Sequence, residues 1–300
     1  MVTTTEAQVE AVFEELAEKR PFWSISKDFV RKQPLGTAGM AIVLIMIFAS
    51  TFAPIIAPYD PELNSFEHML TAPNTDFLLG TDQFGRDILS RIIYGAQTAL
   101  FVGFTSALVG STLGLVLGVA SAFFGGKFDL IFQRIMDIFM SFPLIILALA
   151  VVAIFGTGVQ NVILAITIPF VPRCARVVRS SALAIREIPY IDAARANGFS
   201  NARIILRHMV PNVMAPYLIM ITAFVGQGIL LEASLSYLGL GVQEPTPAWG
   251  LMLQGGAEEY VESAPWVAIW PGIAISLAVF GFNLFGDAVR DTLDPKLRSQ

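Results

Sequence analysis

Few residues in this chain have the types and spacing that chemistry needs. Only His68 and His208 carry imidazoles, and no helical pattern places two histidines at metal-binding spacing. Cys174 is the single cysteine, so neither an internal disulfide nor a cysteine-based metal site can be built. A glycine loop with its phosphate-binding lysine is missing, and no recognised motif brings a serine, a histidine and an aspartate together. What stands out instead is charge at three points. Asp82 and Arg86, and Asp87 and Arg91, are spaced as i,i+4 pairs, each worth a few tenths of a kcal/mol on a helix surface. Glu232 is a lone carboxylate beside a long apolar run, where a charge is a functional candidate by default. The expectation is that it snorkels to the outer interface or caps neighbouring backbone. The third point is a polar break from Pro189 to Asn212, PYIDAARANGFSNARIILRHMVPN.

That break reads as two short helices around a glycine. Pro189 suits a first helical turn, Gly198 a residue just past a helix end, and Ser200 the cap of a second helix. Ile204, Ile205 and Met209 then recur at core-facing spacing, Arg203 and Arg207 lie one turn apart, and the helix is expected to stop at Pro211. Composition alone leaves two readings open, an ordinary Arg-rich cytoplasmic loop or a docking element.

The elements that position these residues are apolar. At 300 residues, 55% hydrophobic and 14% charged, the chain is far too apolar for an ordinary water-soluble domain and belongs in a membrane. A span needs about 20 mostly apolar residues. By that measure six spans follow: Pro34 to Tyr59, Ile92 to Gly126, Ile138 to Phe155, Val159 to Pro172, Val213 to Leu231 and Trp266 to Gly286. The glycines of Gly156-Thr157-Gly158 divide the third from the fourth. Residues 60–91 and Gly239 to Pro265 fall outside, the latter with Glu244, Glu258, Glu259 and Glu262 and no basic residue. All but two of the 19 lysines and arginines, Arg86 and Arg91, then lie on one side. The positive-inside rule makes that side cytoplasmic, with both termini there.

The second span carries Ser106, Gly110, Gly114 and Gly118 at strict four-residue spacing, a small-residue face that lets another helix approach closely; a lipid-facing, glycine-rich helix is the alternative. Residues 1–33 lack the pattern of a cleavable signal peptide. Thr3 and Glu6 could box the start of an amphipathic helix with Val9, Val12, Phe13 and Leu16 on one stripe. Residues 289–300 form a cytoplasmic tail.

The order Asp192-Ala193-Ala194, three residues, Gly198, then Pro211 resembles the EAA loop of permease subunits in binding-protein-dependent ABC importers. Asp192 stands where the family usually has Glu, and Val210 where Leu is common. Leu78 to Ala96, LLGTDQFGRDILSRIIYGA, is similar to a motif of the dipeptide, oligopeptide and nickel permease group, as are LLEASLSYLGLG around Glu232, PTPAWG from Pro245 to Gly250 and the DTLDPKLR tail. The resemblance extends from about Gly36 to Arg298. It implies an all-α membrane protein of six transmembrane helices with the type I ABC importer permease fold. The 92–288 stretch would be a five-helix core, joined by the EAA-like loop 173–212. Ile191, Asp192, Ala193, Ala194, Arg195, Asn197 and Gly198 would dock on an ATPase, with Ala193 and Ala194 allowing close approach.

By the same resemblance the chain is not itself an enzyme and holds no cofactor, ATP and Mg being bound by partner subunits. Its partners would be a homologous second permease, two ABC ATPases, an extracytoplasmic solute-binding protein and membrane lipid, with no nucleic acid. Peptides are the leading substrate class; nickel complexes, opines, glutathione and oligosaccharides stay open. An ion-coupled secondary transporter would share the apolar spans but should display repeated midplane charges or broken helices, which are scarce here.

Overall fold

A computed structural model describes residues 30–293, and in that range the chain is helical with no strand beyond one isolated bridge between Thr81 and Asp87. The expected amphipathic helix at the N-terminus and the DTLDPKLR tail beyond Leu293 lie outside the described residues. In chain order the α-helices are α1 (Pro34–Thr51), α2 (Ala53–Ile56), α3 (Ile88–Phe124), α4 (Gly126–Met140), α5 (Leu144–Phe155), α6 (Val159–Arg186), α7 (Pro189–Ala196), α8 (Asn201–Ile204), α9 (Met214–Tyr237), α10 (Trp249–Glu259) and α11 (Trp266–Leu293). Five helical stretches are long and apolar enough to cross a membrane, or six if the bent pair α4 and α5 makes one span. Large apolar side chains such as Ile45, Phe101, Phe104 and Ile154 stand exposed on the outside of the bundle, an inversion that only a lipid environment tolerates.

The small-residue face of α3 meets α6. A Cβ added to Gly110 would lie 2.8 Å from Phe170 Cβ, one on Gly114 2.6 Å from Cys174 Cβ, and one on Gly118 2.6 Å from the Ala175 carbonyl oxygen. Bare backbone is therefore what lets the two helices touch, and the lipid-facing alternative is excluded. Further along α3, Gly103 makes room for α9, where an added Cβ would meet Ile229 at 2.7 Å. The outer helices α1 and α11 close in the same way at Gly39, 2.7 Å from the Gly281 carbonyl oxygen by that measure. Gln33 Nε2 donates to Asp291 Oδ2 at 3.3 Å, so the two ends of the described chain lie together at one end of the bundle.

Several boundaries differ from the sequence reading. The first span ends its main helix at Thr51, with the short α2 following. α3 begins at Ile88, four residues early, because Asp87 caps it, accepting from the Ser90 amide at 2.8 Å. The third span does not run straight from Ile138: α4 and α5 meet at a 90° bend over Ser141 to Pro143, and Pro143 caps α5. α6 continues through Pro169 and Pro172 to Arg186 instead of stopping at Pro172. Within lipid, packed neighbours and local adjustments tolerate an interior proline that would end a helix in water.

Pro211 fails to stop its helix for a similar reason. A π-turn at Ile205–Met209 and a 3₁₀ turn at Val210–Val213 absorb the missing N–H, so Asn201–Tyr237 is one continuous helical rod. α11 likewise runs to Leu293, taking Asp287, Arg290 and Asp291 into helix where a tail was expected.

Candidate functional site

At one end of the bundle the Pro189–Ser200 part of the polar stretch folds as its sequence suggests. Pro189 opens α7, and Gly198 follows Asn197 with φ +73°, a left-handed conformation that glycine adopts without strain. The Gly198 amide donates to Arg195 O at 2.9 Å and the Phe199 amide to Ala194 O at 3.1 Å, the two bonds of a Schellman closure. Ser200 then caps α8, its hydroxyl accepting from the Arg203 amide at 3.4 Å. On the far side of the turn Asn212 Nδ2 donates to His208 O at 2.6 Å, and the Arg203 guanidinium stacks 4.0 Å above the Phe199 ring.

The i,i+3 spacing of Ile191 and Ala194 turns both inward, where they are buried in the chain's own core with Ile204 and Met209. Asp192, Ala193, Arg195, Asn197 and Gly198 are exposed. Of the two alanines, Ala193 faces out and Ala194 packs inward. Asp192 and Arg195 pair at 3.3 Å on the surface, and Arg195 also sits 5.6 Å over Phe123 at the end of α3.

The adjoining ends of α3, α4 and α6 are tied by charge. Arg186 Nη1 donates to the Ala122 carbonyl at 2.9 Å, meeting an orphan acceptor in the last turn of α3. Arg179 grips Asp129 with Nε at 2.6 Å and with Nη2, and the Ser121 hydroxyl donates to the same carboxylate. The Arg179 hydrogen bond holds the Asp129 carboxyl below the usual carboxylate range.

At the opposite end, the charge motif proves to be a cluster with long-range partners. Asp82 folds the turn Asp82 to Arg86, its Oδ1 accepting from the Phe84 and Arg86 amides at 2.8 and 3.0 Å. Arg86 Nε donates to Asp82 Oδ2 at 2.7 Å, while Nη1 and Nη2 reach Glu244 at 2.6 and 3.2 Å. Burial would pull the Arg86 guanidinium down, but the bonds to Glu244 and Asp82 outweigh it and hold the group above its ordinary value.

The expected Asp87–Arg91 pair does not form. Asp87 spends its carboxylate on the α3 cap and the Ser90 hydroxyl, at 2.6 Å. Arg91, wholly buried, turns back so that Nη1 donates to Pro61 O at 2.9 Å. Nor is the motif a self-stabilised surface helix: Glu244, which sequence reasoning saw only as one acid in an outer segment, is its missing counter-ion. The neighbouring PTPAWG segment packs on the same helix, α3. The Thr98 hydroxyl donates to Pro247 O at 2.8 Å, and Trp249 Nε1 donates to Ile92 O at 3.0 Å over the bare backbone of Gly95.

Glu232 does not snorkel. It is 1% exposed near the end of α9, accepting at Oε1 from the Ser236 hydroxyl at 2.7 Å, while Oε2 has no hydrogen-bond partner among the described residues. Ser236 Oγ in turn accepts from the Val242 amide at 3.1 Å, so a buried chain of polar groups fastens the outer segment to α9. His68 and His208 lie at different places, the first in the outer segment and the second in the docking stretch, and no group of three or more metal-ligating side chains occurs among the described residues.

The chain therefore presents an exposed, hydrogen-bonded turn at one end, a largely buried ion cluster at the other, and helical spans between. Comparison with known proteins accords with this. Residues 110–299 match the family described as binding-protein-dependent transport system inner membrane component, and residues 22–73 match the N-terminal transmembrane domain of oligopeptide transport permease C. Among relatives, the dipeptide transport system permease protein DppC of Alkalihalophilus pseudofirmus is 42% identical over 281 residues, 92% of this chain and 91% of its own length. The glutathione transport system permease protein GsiD of Pectobacterium atrosepticum is 41% identical over 282 residues, 93% of this chain and 92% of its own. A putative peptide transport system permease protein of Brucella abortus is 42% identical over 262 residues, covering 87% and 88%. In fold, the chain is similar to the inward-facing MetNI methionine ABC transporter, with a TM-score of 0.55 at 22% identity over 69% of this chain and 98% of that one. With a family match across more than half its length and relatives this close, the chain belongs to the inner membrane components of binding-protein-dependent transport systems, as a multi-pass permease with the type I ABC importer fold.

Proposed function

We propose that this permease forms half of the translocation pathway of an ATP-driven peptide importer. It pairs with a homologous second permease, stands on two ABC ATPases and receives its solute from an extracytoplasmic binding protein. The observation that carries the reading is the continuous rod Asn201–Tyr237. At about 1.5 Å per residue its 37 residues span roughly 55 Å, enough to join a docking turn on one side of a bilayer to the outer segment on the other. In this reading the exposed face of Asp192, Ala193, Arg195 and Asn197 lies in a groove of the ATPase, while Ile191 and Ala194 fix that face to the bundle. Closure of the ATPases moves the turn as a rigid body, and α9 carries the motion to the far side.

Orientation follows the charges: the Arg-rich docking stretch is cytoplasmic and the acidic segments at 60–87 and 239–265 are outside. Peptides are supported as the cargo by the names of the dipeptide and putative peptide relatives. The glutathione relative, whose named solute is itself a small peptide, fits the same class. Specificity rests with the binding protein, and ATP and Mg with the ATPases; this chain lines the path and transmits the stroke.

The test is uptake of labelled di- and tripeptides into proteoliposomes holding the co-purified complex and its binding protein. Uptake that requires internal ATP and is abolished by vanadate supports the reading. Uptake driven by an ion gradient without ATP contradicts it.

A further inference from the structure

Four ionised groups meet under the outer segment, and their hydrogen bonds are shared unequally. Arg86 takes the short bonds, 2.7 Å to Asp82 and 2.6 Å to Glu244. Arg91 is fully buried, yet its Nε and Nη2 have no hydrogen-bond partner among the described residues. They stand 3.7 Å from Asp82 Oδ2 and 3.6 Å from Glu244 Oε1, outside hydrogen-bonding range by less than 1 Å. A buried, charged donor left open is costly, and these two point at carboxylates already engaged by a neighbour.

The carboxylate that can move is Glu244. Asp82 is fixed by two backbone amides in its own turn, whereas the Glu244 side chain is 41% exposed on the connection between α9 and α10. That connection is bolted to the end of α9. The Gly239 amide donates to Ser236 O at 3.0 Å, the Leu240 amide to Leu235 O at 2.9 Å, and the Val242 amide to Ser236 Oγ, itself held by buried Glu232. Glu244 follows two residues later. Arg86 and Arg91 belong to the other side of the contact, the outer turn and the first turns of α3. Three residues beyond Glu244 the same connection is tied to α3, where the Thr98 hydroxyl donates to Pro247 O. Glu244 therefore sits between a residue fastened to α9 and one fastened to α3, so a displacement of α9 relative to α3 falls on the short stretch that carries it.

We propose that Glu244 is the moving half of a two-arginine latch. In the conformation described here it is held by Arg86. Displacement of the Asn201–Tyr237 rod during the transport cycle transfers it to Arg91, whose open donors await it. The outer segment thus changes position without stranding a buried charge. Two discrete hydrogen-bonded arrangements, in place of one that stretches, give the outer side two defined states. Asp82 stays with Arg86 throughout, so Arg86 holds two carboxylates in the described state and one in the other, where Arg91 gains Glu244.

The inference rests on the importer reading, since it needs ATP to move α9. The test uses the complete purified complex with its ATPases. Melting midpoints are measured nucleotide-free and after trapping with ATP and vanadate. The panel is wild type, Arg86→Gln, Arg91→Gln, Glu244→Gln and the two double variants, so that each Glu244–arginine coupling is isolated by a double-mutant cycle. The expected result is a crossover: Arg86–Glu244 coupling appears in the nucleotide-free complex and Arg91–Glu244 coupling in the trapped one, each as a midpoint shift of about 2–4 °C. Both couplings confined to the same state, with wild type responding normally to trapping, would overturn the latch alone. A wild-type midpoint indifferent to nucleotide would overturn the importer reading and the latch with it. Should the glutamine variants of the arginines fail to assemble, Arg91→Lys, which keeps the buried charge but cannot offer the guanidinium Nη2, is measured beside Glu244→Gln. The latch predicts that Glu244→Gln lowers the midpoint in both states and that Arg91→Lys lowers it more in the trapped state. An unchanged midpoint for Glu244→Gln in either state, or an equal effect of Arg91→Lys in both, refutes it.

Discussion

Gly198 offers the sharpest perturbation of the proposed docking turn, because backbone and surface effects can be separated there. Its φ of +73° is closed to most side chains, yet a Cβ built at this position meets nothing within 4 Å. Substitution therefore costs strain and no internal clash. For alanine the left-handed conformation costs roughly 1–2 kcal/mol. If the turn must keep this shape to engage the ATPase, that cost lowers the competent population by about 5- to 30-fold at most, the two Schellman bonds resisting the change. Asparagine tolerates the left-handed region, so Gly198→Asn should stay within about twofold of wild type despite its larger side chain. Gly198→Asp has nearly the same shape and adds only a negative charge beside the exposed Asp192, so any loss beyond that of asparagine measures charge at the interface. The assay is peptide-stimulated ATPase and ATP-driven uptake by the reconstituted complex, normalised to the amount of inserted permease. The order asparagine, then alanine, with aspartate uncoupled while still inserted, is expected. Alanine at wild-type level, or asparagine worse than alanine, would refute the claim that backbone geometry is what Gly198 contributes.

Gly114→Ala should destabilise the purified chain by about 1–3 kcal/mol, since the added methyl overpacks the α3–α6 seam, whereas Gly272→Ala on α11, with nothing within 4 Å, should be neutral in the same thermal melt. Charge reversal at the exposed Glu259 and Glu262 should weaken binding-protein docking at low salt and matter less at high salt; transport indifferent to both charge and salt would remove the outer acidic segment from that role. The Asp129 carboxyl, lowered by Arg179, contributes stability that is complete above its unfolded value near pH 4 and is lost as pH falls through the lower folded value. The melting temperature of wild type should therefore exceed that of Asp129→Asn at neutral pH, the difference closing as pH falls below the ordinary carboxylate range, and parallel acid profiles for the two would count against the pair.

Local signals in the sequence were sufficient wherever one element settles its own geometry. Four-residue spacing of Ser106, Gly110, Gly114 and Gly118 on one helix face marks a helix–helix seam, and Pro189, Gly198 and Ser200 mark a turn whose closing backbone bonds and cap lie within a dozen residues. Choices between partners far apart in sequence were not legible. Asp87 can bond Arg91 or cap α3, and Glu244 can face water or Arg86; tertiary packing decides both, and it chose the cap and the buried cluster. Prolines misled for a related reason. Pro172 and Pro211 read as stops when hydrogen bonds are counted on an isolated helix, but packing around α6 and the π-turn before Pro211 keep those helices continuous. Continuity at Pro211 is what joins the polar stretch after Gly198 to the Glu232 end of α9 in one helical run.

The central claim, that the exposed face of α7 seats on an ATPase, is met most directly by placing a photo-crosslinking amino acid at Ala193 in native membranes and identifying what it captures by mass spectrometry. Ala193 faces outward while Ala194, its immediate neighbour, packs inward, so the second position serves as the control. The account predicts an ABC ATPase subunit crosslinked from Ala193 and little or nothing from Ala194. Capture of lipid or of this chain alone from Ala193, with ATPase subunits absent from the purified material, would contradict it.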